Sequence, residues 1–291
     1  MLNPRVSVGV PVYNGEKFLE EALISLMSQT YADLEILISD NASVDRTEDI
    51  CRDFALTDRR IRYYRSTINR GAAWNFNRVR ELSTGEYFKW SAHDDICAQQ
   101  YLERGVEVLD REPLVVLCYG RTKIIDEYGK PVREYSDGFH LCSGKPHQRF
   151  SDFFQAGGLT NAPHGLMRAN VLKKVRKYGD FPSSDRILLA ELALRGQFHE
   201  IPEYLFFRRD HVQSSGRANT TVKEYTAWLN PEAKGNVELL RWRWFLEYLR
   251  SIRNVELDWR ERILCYGQMA KYFRWHWKEV CPEAIRALRM K

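Results

Sequence analysis

Two adjacent acidic residues offer the clearest chemistry in the sequence. Asp94 and Asp95 follow residues 87–90, a short apolar stretch that is typical of a buried β-strand. Neighbouring carboxylates repel each other unless a cation lies close by, and Mg²⁺ or Mn²⁺ takes oxygen ligands from one or two carboxylates and from phosphates. Successive strand residues face opposite sides, so both acids reach one ligand only where the strand ends in a turn. A solvated turn, or an N-cap for a helix at 98–110, is the alternative.

Regular strand and helix signals surround this pair in the first half of the chain. Strands are predicted at 5–12, 34–39, 61–64, 86–90 and 114–119, and helices at 16–28, 45–54, 74–82 and 98–110. This alternation implies right-handed crossovers and a largely parallel sheet with helices on both faces. Ligands bind such sheets beyond the carboxyl ends of the strands. Polar clusters at Tyr13-Asn14 and Asp40-Asn41 stand at two of those ends, as the aspartate pair does at another.

The second half of the chain is less regular. Residues 123–158 are rich in turn formers and are predicted as loops, with room for a hairpin, before a helix at 183–195 and a strand at 197–209. From about residue 220, six of the eight tryptophans occur among many basic residues, in a pattern that indicates several helices. We expect an α/β domain at 1–215 and a helical, aromatic and basic region at 216–291.

Composition and charge narrow the class of protein. A chain of 291 residues with 44% apolar and 29% charged residues is typical of a folded protein with a sizeable core. No run approaches the ~20 apolar residues of a membrane span, and the first residues lack a signal-sequence pattern, so we expect no integral membrane protein. The net charge of +5 is too modest to indicate a nucleic-acid partner. Six scattered cysteines without a CxxC pair favour free thiols in the cytoplasm over a zinc site.

Three other enzyme classes would need different patterns. A nucleotidyltransferase would place a glycine-rich, basic loop after the first strand, and a dehydrogenase would place GxGxxG there; Pro11 to Gly15 is neither. A glycosidase would hold two carboxylates ~5–9.5 Å apart across a sugar. Adjacent Asp94 and Asp95 do not suggest that arrangement, although acids distant in sequence stay open.

Several segments, taken in order, resemble family 2 glycosyltransferases. They are 6–14 (VSVGVPVYN), 28–31 (SQTY), 37–43 (LISDNAS), 69–71 (NRG), 75–77 (NFN), 85–88 (GEYF) and 93–95 (HDD). The resemblance covers roughly residues 5 to 210. It implies a GT-A fold, and inverting transfer of a sugar from a nucleoside-diphosphate sugar to an acceptor hydroxyl in glycan or cell-surface polysaccharide biosynthesis. A catalytically inactive sugar-nucleotide or carbohydrate-binding protein is the alternative, and the retention of Asp95 and Asp185 speaks against it.

The resemblance also implies roles for individual residues. The nucleotide site would comprise Pro11, Tyr13, Asn14, Asp40, Asn75, Asp94 and Arg208. Asp95 and His211 would bind Mn²⁺ or Mg²⁺, although His93 replaces the first aspartate of the family's Asp-x-Asp motif. A carboxylate such as Asp40 can also accept hydrogen bonds from the ring N–H groups of a base. A local turn after the strand explains Asp40 equally well.

Asp185 resembles the family's catalytic base. It precedes the apolar helical stretch 187–194, and a carboxylate placed there can take the proton of a sugar hydroxyl, a contribution of ~10²–10⁴-fold. A simple helix cap is the alternative role for Asp185, and Glu191 is a weaker contender for the base. His164 is predicted to be a packed or hydrogen-bonded loop residue.

The C-terminal region carries the last prediction. Residues 271–291 hold six Lys or Arg and two Glu among aromatic side chains, so we expect the last ~20 residues to give weak peripheral contact with the inner membrane face, near a lipid-linked acceptor. The other interpretation is that the aromatic residues pack on the first domain or on the second subunit of a homodimer.

Overall fold

The computed structural model describes residues 4–156, 160–233 and 239–289, with the side chains of the last helix described as far as Glu283. Within these ranges, nine strands form one sheet. The strands are β1 (Val6–Val12), β2 (Leu34–Asp40), β3 (Ile61–Arg65), β4 (Tyr87–Trp90), β5 (Ile96–Cys97), β6 (Val115–Ile125), β7 (Pro131–Tyr135), β8 (Leu166–Arg168) and β9 (Gln197–Arg209). Their order is β3-β2-β1-β4-β8-β6-β9-β5, and β7 pairs with β6 outside this path.

The sheet is mixed rather than parallel throughout. Strands β1 to β4 pair in parallel, as the alternation of strand and helix predicts. Strand β8 then enters between β4 and β6 and is antiparallel to both. The β6–β7 pair is an antiparallel hairpin, which needs only a short turn and no crossover helix. The fold class is therefore the predicted α/β one, with a mixed second half.

Eleven α-helices of the described ranges flank the sheet. They are α1 (Leu19–Met27), α2 (Thr47–Thr57), α3 (Ala72–Leu82), α4 (Tyr101–Arg111), α5 (Pro146–Gln155), α6 (Ala169–Leu172), α7 (Ser184–Arg195), α8 (Ser215–Ala218), α9 (Val222–Leu229), α10 (Leu240–Asn254) and α11 (Trp259–Arg289). Helix α5 lies in the segment predicted as loops, and that prediction is wrong there. Its Pro146 stands in the first turn, and Phe150 and Phe153 are fully buried.

The sheet separates two apolar cores. Val6, Val8 and Val10 of β1 belong to the core that α1, α2 and α4 cover. Helix α3 covers the other face, where a Cβ on Gly9 would lie only 2.7 Å from the Cβ of Val79. Glycine at this position therefore lets α3 lie directly on the strand that leads to the aspartate-rich edge.

The C-terminal helices share the second core. Tyr248 and Ile252 of α10 and Met269 of α11 are buried together with residues of α5 and α7. The carboxylate of Glu283 also accepts hydrogen bonds from the backbone N–H groups of Arg241 and Trp242, at the start of α10. No helix in the described ranges is both long enough and apolar enough to cross a bilayer.

Candidate active site

A cavity of about 540 Å³ opens at the carboxyl ends of β1 and β4. This volume lies within the ~300–1,000 Å³ typical of ligand sites. Its walls come from the end of β1, the start of α3, the turn after β4, the end of β9 and the segment that follows β9. Of the predicted site residues it is lined by Pro11, Tyr13, Asn14, Asn75, Asp94, Asp95, Arg208 and His211.

The loop after β1 forms one wall and is fixed by the loop after β2. Asn14 has a φ of +51°; its backbone N–H donates to Ser43 Oγ at 2.9 Å, and its Oδ1 accepts the N–H of Val44 at 3.0 Å. A Cβ on Gly15 would lie 2.8 Å from Cδ2 of His93, so only glycine fits this approach to the turn after β4. Tyr13 is 41% exposed, and its ring stands open to a ligand.

Asn75 joins the ends of β1 and β2. Its Nδ2 donates to the carbonyl oxygens of Val12, at 3.2 Å, and Ser39, at 2.8 Å. Its Oδ1 is buried, with no hydrogen-bond partner among the residues that the structure describes. A buried acceptor without a partner is costly, so a donor group of a ligand would be stabilised there.

Asp40 does not line the cavity. It is fully buried, and its carboxylate accepts hydrogen bonds from the N–H of Ser43, from the hydroxyl of Tyr63 at 2.8 Å and from Arg65 Nη1 at 2.5 Å. The structure thus brings six of the seven predicted nucleotide-binding residues to the cavity. Asp40 instead holds the loop after β2, in the turn role that the sequence left open.

The aspartate pair lies against the end of β9. Asp94 Oδ2 is 2.9 Å from His211 Nε2, and Asp95 Oδ1 accepts the backbone N–H of Arg209 at 2.8 Å. Burial, and next the negative charge of Asp94, raise the pKa of Asp95. Burial opposes the ionisation of Asp94 as well, but His93 and His211 outweigh it and lower the pKa of Asp94. The two histidines therefore compensate the negative charge of Asp94, whereas the carboxylate of Asp95 needs a further positive charge.

The donor set fits a divalent cation that is completed by other ligands. Among the described residues, no group of three His, Cys, Asp or Glu side chains is arranged to hold a metal ion by itself. His211 Nδ1 is nevertheless buried without a partner in the described part of the chain, while Nε2 faces a carboxylate. Metal-binding histidines commonly make such a carboxylate contact through their second ring nitrogen. Asp95 and His211 thus suit Mn²⁺ or Mg²⁺, with phosphate oxygens and water as the remaining ligands.

Arg208 is held by two residues that the sequence analysis missed. Its Nη1 donates to Asn161 Oδ1 at 2.8 Å, and the N–H and Nδ2 of Asn161 donate to the carboxylate of Asp137 at 2.6 and 3.2 Å. Burial raises the pKa of Asp137 to about 7, against the lowering effect of its amide donors. Asp137 stands between a serine and a glycine, which is the composition of an exposed turn, so nothing in the sequence indicated a buried carboxylate.

His164 packs at the back of the cavity, in the loop role that its sequence context predicted. Its ring stacks on Phe206 with centroids 5.3 Å apart, and its carbonyl accepts hydrogen bonds from Lys89 Nζ at 2.7 Å and from the hydroxyl of Tyr101 at 3.0 Å. Burial, and then the charge of Lys89, lower the pKa of His164 to about 3. The imidazole is therefore neutral at physiological pH.

Asp185 lies in the first turn of α7 and outside the lining of the cavity. Burial raises the pKa of its carboxyl, and the backbone N–H and the charge of Arg186, together with the charge of Arg208, partly offset this. Asp185 is thus within electrostatic reach of a cavity residue. Glu191 is fully buried and pairs with Arg176 and Arg195 at 2.9 and 3.0 Å, so its carboxylate is already occupied.

A roof over the cavity, which we define as residues 213–231, is the largest feature that the sequence did not indicate. It contributes Gln213, Ser214, Ser215, Ala218, Asn219, Ala227, Trp228 and Pro231 to the lining. Gly71, at the N-cap of α3, has a φ of +84°, and a Cβ there would lie 2.3 Å from the carbonyl oxygen of Leu229. The start of α3 and the end of α9 therefore touch through their backbones.

The sequence model of glycosyl transferase family 2 matches residues 7–175. The chain belongs to this family. An uncharacterized glycosyltransferase of Rickettsia typhi is 32% identical over 143 residues, which are 46% of this chain and 43% of that protein. The chain thus spans less than half of that relative. A Haemophilus influenzae glycosyltransferase is 28% identical over 239 residues, 79% of this chain and 71% of its own length.

Solved structures confirm the predicted GT-A fold. Staphylococcus aureus TarS 1–349, in complex with UDP-GlcNAc, superposes with a TM-score of 0.67 at 15% identity, over 93% of this chain and 73% of that one. The mannosyltransferase PcManGT of Pyrobaculum calidifontis, in complex with GDP-Man and Mn²⁺, gives 0.57 at 19% identity, over 100% and 75% of the chains. At these identities the likeness establishes the fold alone, and the roles of individual residues stay predictions.

Proposed function

We propose that this family 2 chain is an inverting, metal-dependent glycosyltransferase that moves a sugar from a nucleoside-diphosphate sugar to a hydroxyl of a glycan acceptor, free or lipid-linked. One observation carries the proposal: the acidic pair Asp94-Asp95 and the guanidinium of Arg208 line one cavity at the carboxyl ends of parallel strands. Both kinds of group suit a diphosphate. The carboxylates would hold a divalent cation that the phosphate oxygens coordinate, and the guanidinium would donate hydrogen bonds to the same oxygens. The nucleotide sugars in the TarS and PcManGT structures support this donor class.

The donor site follows from the wall residues. The open ring of Tyr13 offers an apolar face to a base, and the unpartnered Oδ1 of Asn75 offers an acceptor to its N–H or to a ribose hydroxyl. Arg208, whose guanidinium is held by Asn161, would bind the diphosphate from the cavity wall. Asp94 keeps the ring of His211 in one orientation. Because the carboxylate of Asp94 accepts a hydrogen bond from Nε2, the lone pair of Nδ1 stays available for a metal ion.

A divalent ion held by Asp95 and His211 would act as a Lewis acid that offsets the charge of the departing diphosphate. The chain's own groups work in the same direction. Arg208 adds positive charge beside the leaving group, and the neighbouring roof segment narrows access for water. A site with little water strengthens such charge interactions.

Asp185 is the base in this proposal. Its burial raises the pKa of the carboxyl, which makes the ionised form a stronger proton acceptor than an exposed aspartate. With one base and no protein nucleophile, the acceptor oxygen displaces the nucleotide directly, and the configuration at the sugar carbon inverts. The acceptor hydroxyl must then lie beside the carboxylate of Asp185.

We place the reaction in the cytoplasm, in glycan or cell-surface polysaccharide biosynthesis. Free thiols support the compartment, because every cysteine of the described ranges is unpaired. Packing of Tyr248 and Tyr272 against α5 accounts for part of the aromatic C-terminal region without a second subunit.

A nucleotide panel followed by product analysis tests the proposal. Thermal unfolding is measured with UDP, GDP and dTDP, each with and without MnCl₂; a ligand at 100 times its Kd stabilises by ~2.7 kcal/mol. We expect one of the three nucleotides to raise Tm, and to raise it further in the presence of Mn²⁺. NMR of the product formed from the matching sugar donor should show an inverted anomeric centre. No shift with any nucleotide would contradict the donor site, retention would contradict the mechanism, and binding without transfer would indicate the inactive alternative.

A further inference from the structure

Helix α11 covers the core with one side and leaves the opposite side open. Cys265 and Met269 are buried among residues of α5, α7 and α10. On the outer side stand six large apolar residues: Trp259 at 68% exposure, Ile263 at 60%, Leu264 at 45%, Tyr266 at 36%, Trp275 at 63% and Trp277 at 50%. So many exposed apolar side chains on one helix mark a binding surface, whereas single ones are ordinary.

The spacing of four of these residues makes one apolar stripe. Trp259, Ile263, Tyr266 and Trp277 recur at intervals of i, i+4, i+7 and i+18, which lie on one helical face. Leu264 and Trp275 form a second exposed row, roughly 140–160° further round the helix from Trp259. We call this surface the outer face of α11, and it spans residues 259–278.

The charge of the outer face has one sign. Arg260, Lys271, Arg274 and Lys278 are exposed along it, and none of them has an ion-pair partner among the side chains that the structure describes. Between Trp259 and Glu283, the one exposed acid of the described side chains is Glu279, which pairs with Arg241. The surface therefore combines tryptophan rings with uncompensated cations.

We propose that the outer face of α11 docks on a membrane surface that carries anionic lipids. Tryptophan and tyrosine rings settle at the depth of the headgroups, and lysine and arginine beside them attract lipid phosphates. The surface lies nearer the middle of the C-terminal region than the last ~20 residues that the sequence indicated. A symmetric contact with a second copy fits less well, since it would bring these unpaired cations together.

Vesicle binding tests this with the full chain and needs neither sugar donor nor metal, so its result is independent of the transferase proposal. The protein is sedimented with phosphatidylcholine vesicles, with and without phosphatidylglycerol, at two salt concentrations. We expect binding to the anionic vesicles at low salt and its loss at high salt. Lys271→Gln/Arg274→Gln/Lys278→Gln should weaken binding by about 100-fold, at roughly fivefold for each cation.

Matched variants separate this surface from general charge and hydrophobicity. Trp259→Gln/Ile263→Gln should also release the vesicles, whereas Leu56→Gln/Leu114→Gln, at equally exposed apolar sites, should not. Lys130→Gln/Lys145→Gln/Lys173→Gln is the control for the triple charge change. No sedimentation of the wild type at low salt, or equal binding by test and control variants, would overturn the proposal. A lipid-free dimer that Trp259→Gln/Ile263→Gln dissociates would overturn it too, and would assign the face to a second copy.

Discussion

Asp94 Oδ2 lies 2.9 Å from Nε2 of His211, which joins the turn after β4 to the segment after β9 across 117 positions of the chain. The contact engages one ring nitrogen of the histidine. The other nitrogen, Nδ1, is buried without a partner in the described part of the chain. The two residues are thus a pair in which the carboxylate orients the imidazole, and a change at Asp94 acts on His211 as well.

Asp95→Asn should remove the metal dependence of nucleotide binding and lower transfer by ~10²-fold or more, because the ion contributes several kcal/mol at the leaving group. The fold should hold, since the Asn oxygen can still accept the N–H of Arg209. Burial and Asp94 raise the pKa of Asp95, so a neutral side chain should leave the Tm of the ligand-free protein unchanged or higher. Calorimetric titration with and without MnCl₂ measures the binding. Exposed Asp53→Asn is the control, and full activity in EDTA would contradict the metal role.

Asp185→Asn should lower kcat by ~10²–10⁴-fold while the Kd of the nucleotide stays within about twofold, because a base acts in the transition state. The measurement is kcat at saturating donor, together with nucleotide titration. Asp180→Asn, in the loop that precedes α7 and paired with Arg243 on the surface, is the matched control. A loss of less than tenfold in Asp185→Asn would exclude the residue as the base.

The pH dependence of kcat should report the ionisation of Asp185. The base works only when ionised, and burial raises its pKa, so activity should fall as the pH decreases through a value above the ~3.9 of an ordinary aspartate. The rate should be constant above that value until other groups titrate. The profile is recorded at saturating donor, with the Kd of the nucleotide measured at each pH. A rate that stays level down to pH ~4 would refute the assignment.

Asn161→Ala should raise the KM for the donor by about tenfold and change kcat less, because it frees the guanidinium of Arg208, the group that we propose binds the diphosphate. Asp137 would keep the N–H of Ala162 as a donor, so the loop should stay folded. Steady-state kinetics with varied donor concentration measure the split between KM and kcat. Exposed Asn170→Ala is the control. An unchanged KM would mean that Arg208 keeps its position without Asn161.

Gly71→Ala should lower Tm by several degrees and weaken nucleotide binding. The positive φ costs an alanine ~1–3 kcal/mol, and its Cβ would lie 2.3 Å from the carbonyl oxygen of Leu229, so the end of α9 must move away. Thermal unfolding and nucleotide titration measure the two effects. Gly144→Ala, with open space around the new Cβ, should change neither. Normal nucleotide affinity in Gly71→Ala would show that the roof does not contribute to binding.

The order of strands and helices was predictable because it follows from apolar patterns in short stretches of sequence. The apolar run that became β1 and the helical spacing that became α1 gave the first crossover, and β9 begins and ends where the sequence predicted. The place of β8 was not predictable, since its pairing with β4 and β6 involves partners that are distant in sequence. Helix α5 was missed because turn formers surround its two buried phenylalanines.

The residues of the site also divide into those that the sequence predicts and those that depend on distant contacts. The positions of Asp94, Asp95 and Arg208 at strand ends follow from the order of strands, and all three line the cavity. The groups that bind a buried carboxylate are often distant from it in the sequence. Tyr63 and Arg65 of β3 engage Asp40, and only the folded sheet brings them to it. Asp137 was unpredictable for the complementary reason, because an acid in a polar turn sequence is ordinarily exposed.

The buried charges between α7 and α10 limit how parts of this protein can be exchanged. Glu191, on the helix of the proposed base, has Arg176 as a partner, and Arg176 also binds Glu247 of α10. Arg195 donates both to Glu191 and to the carbonyl of Asn254. A chimaera that received another protein's chain after residue 215 would keep Glu191 and the two arginines but lose the carboxylate of Glu247, which leaves Arg176 with one of its two acidic partners. Helices α7 and α10 should therefore be exchanged together.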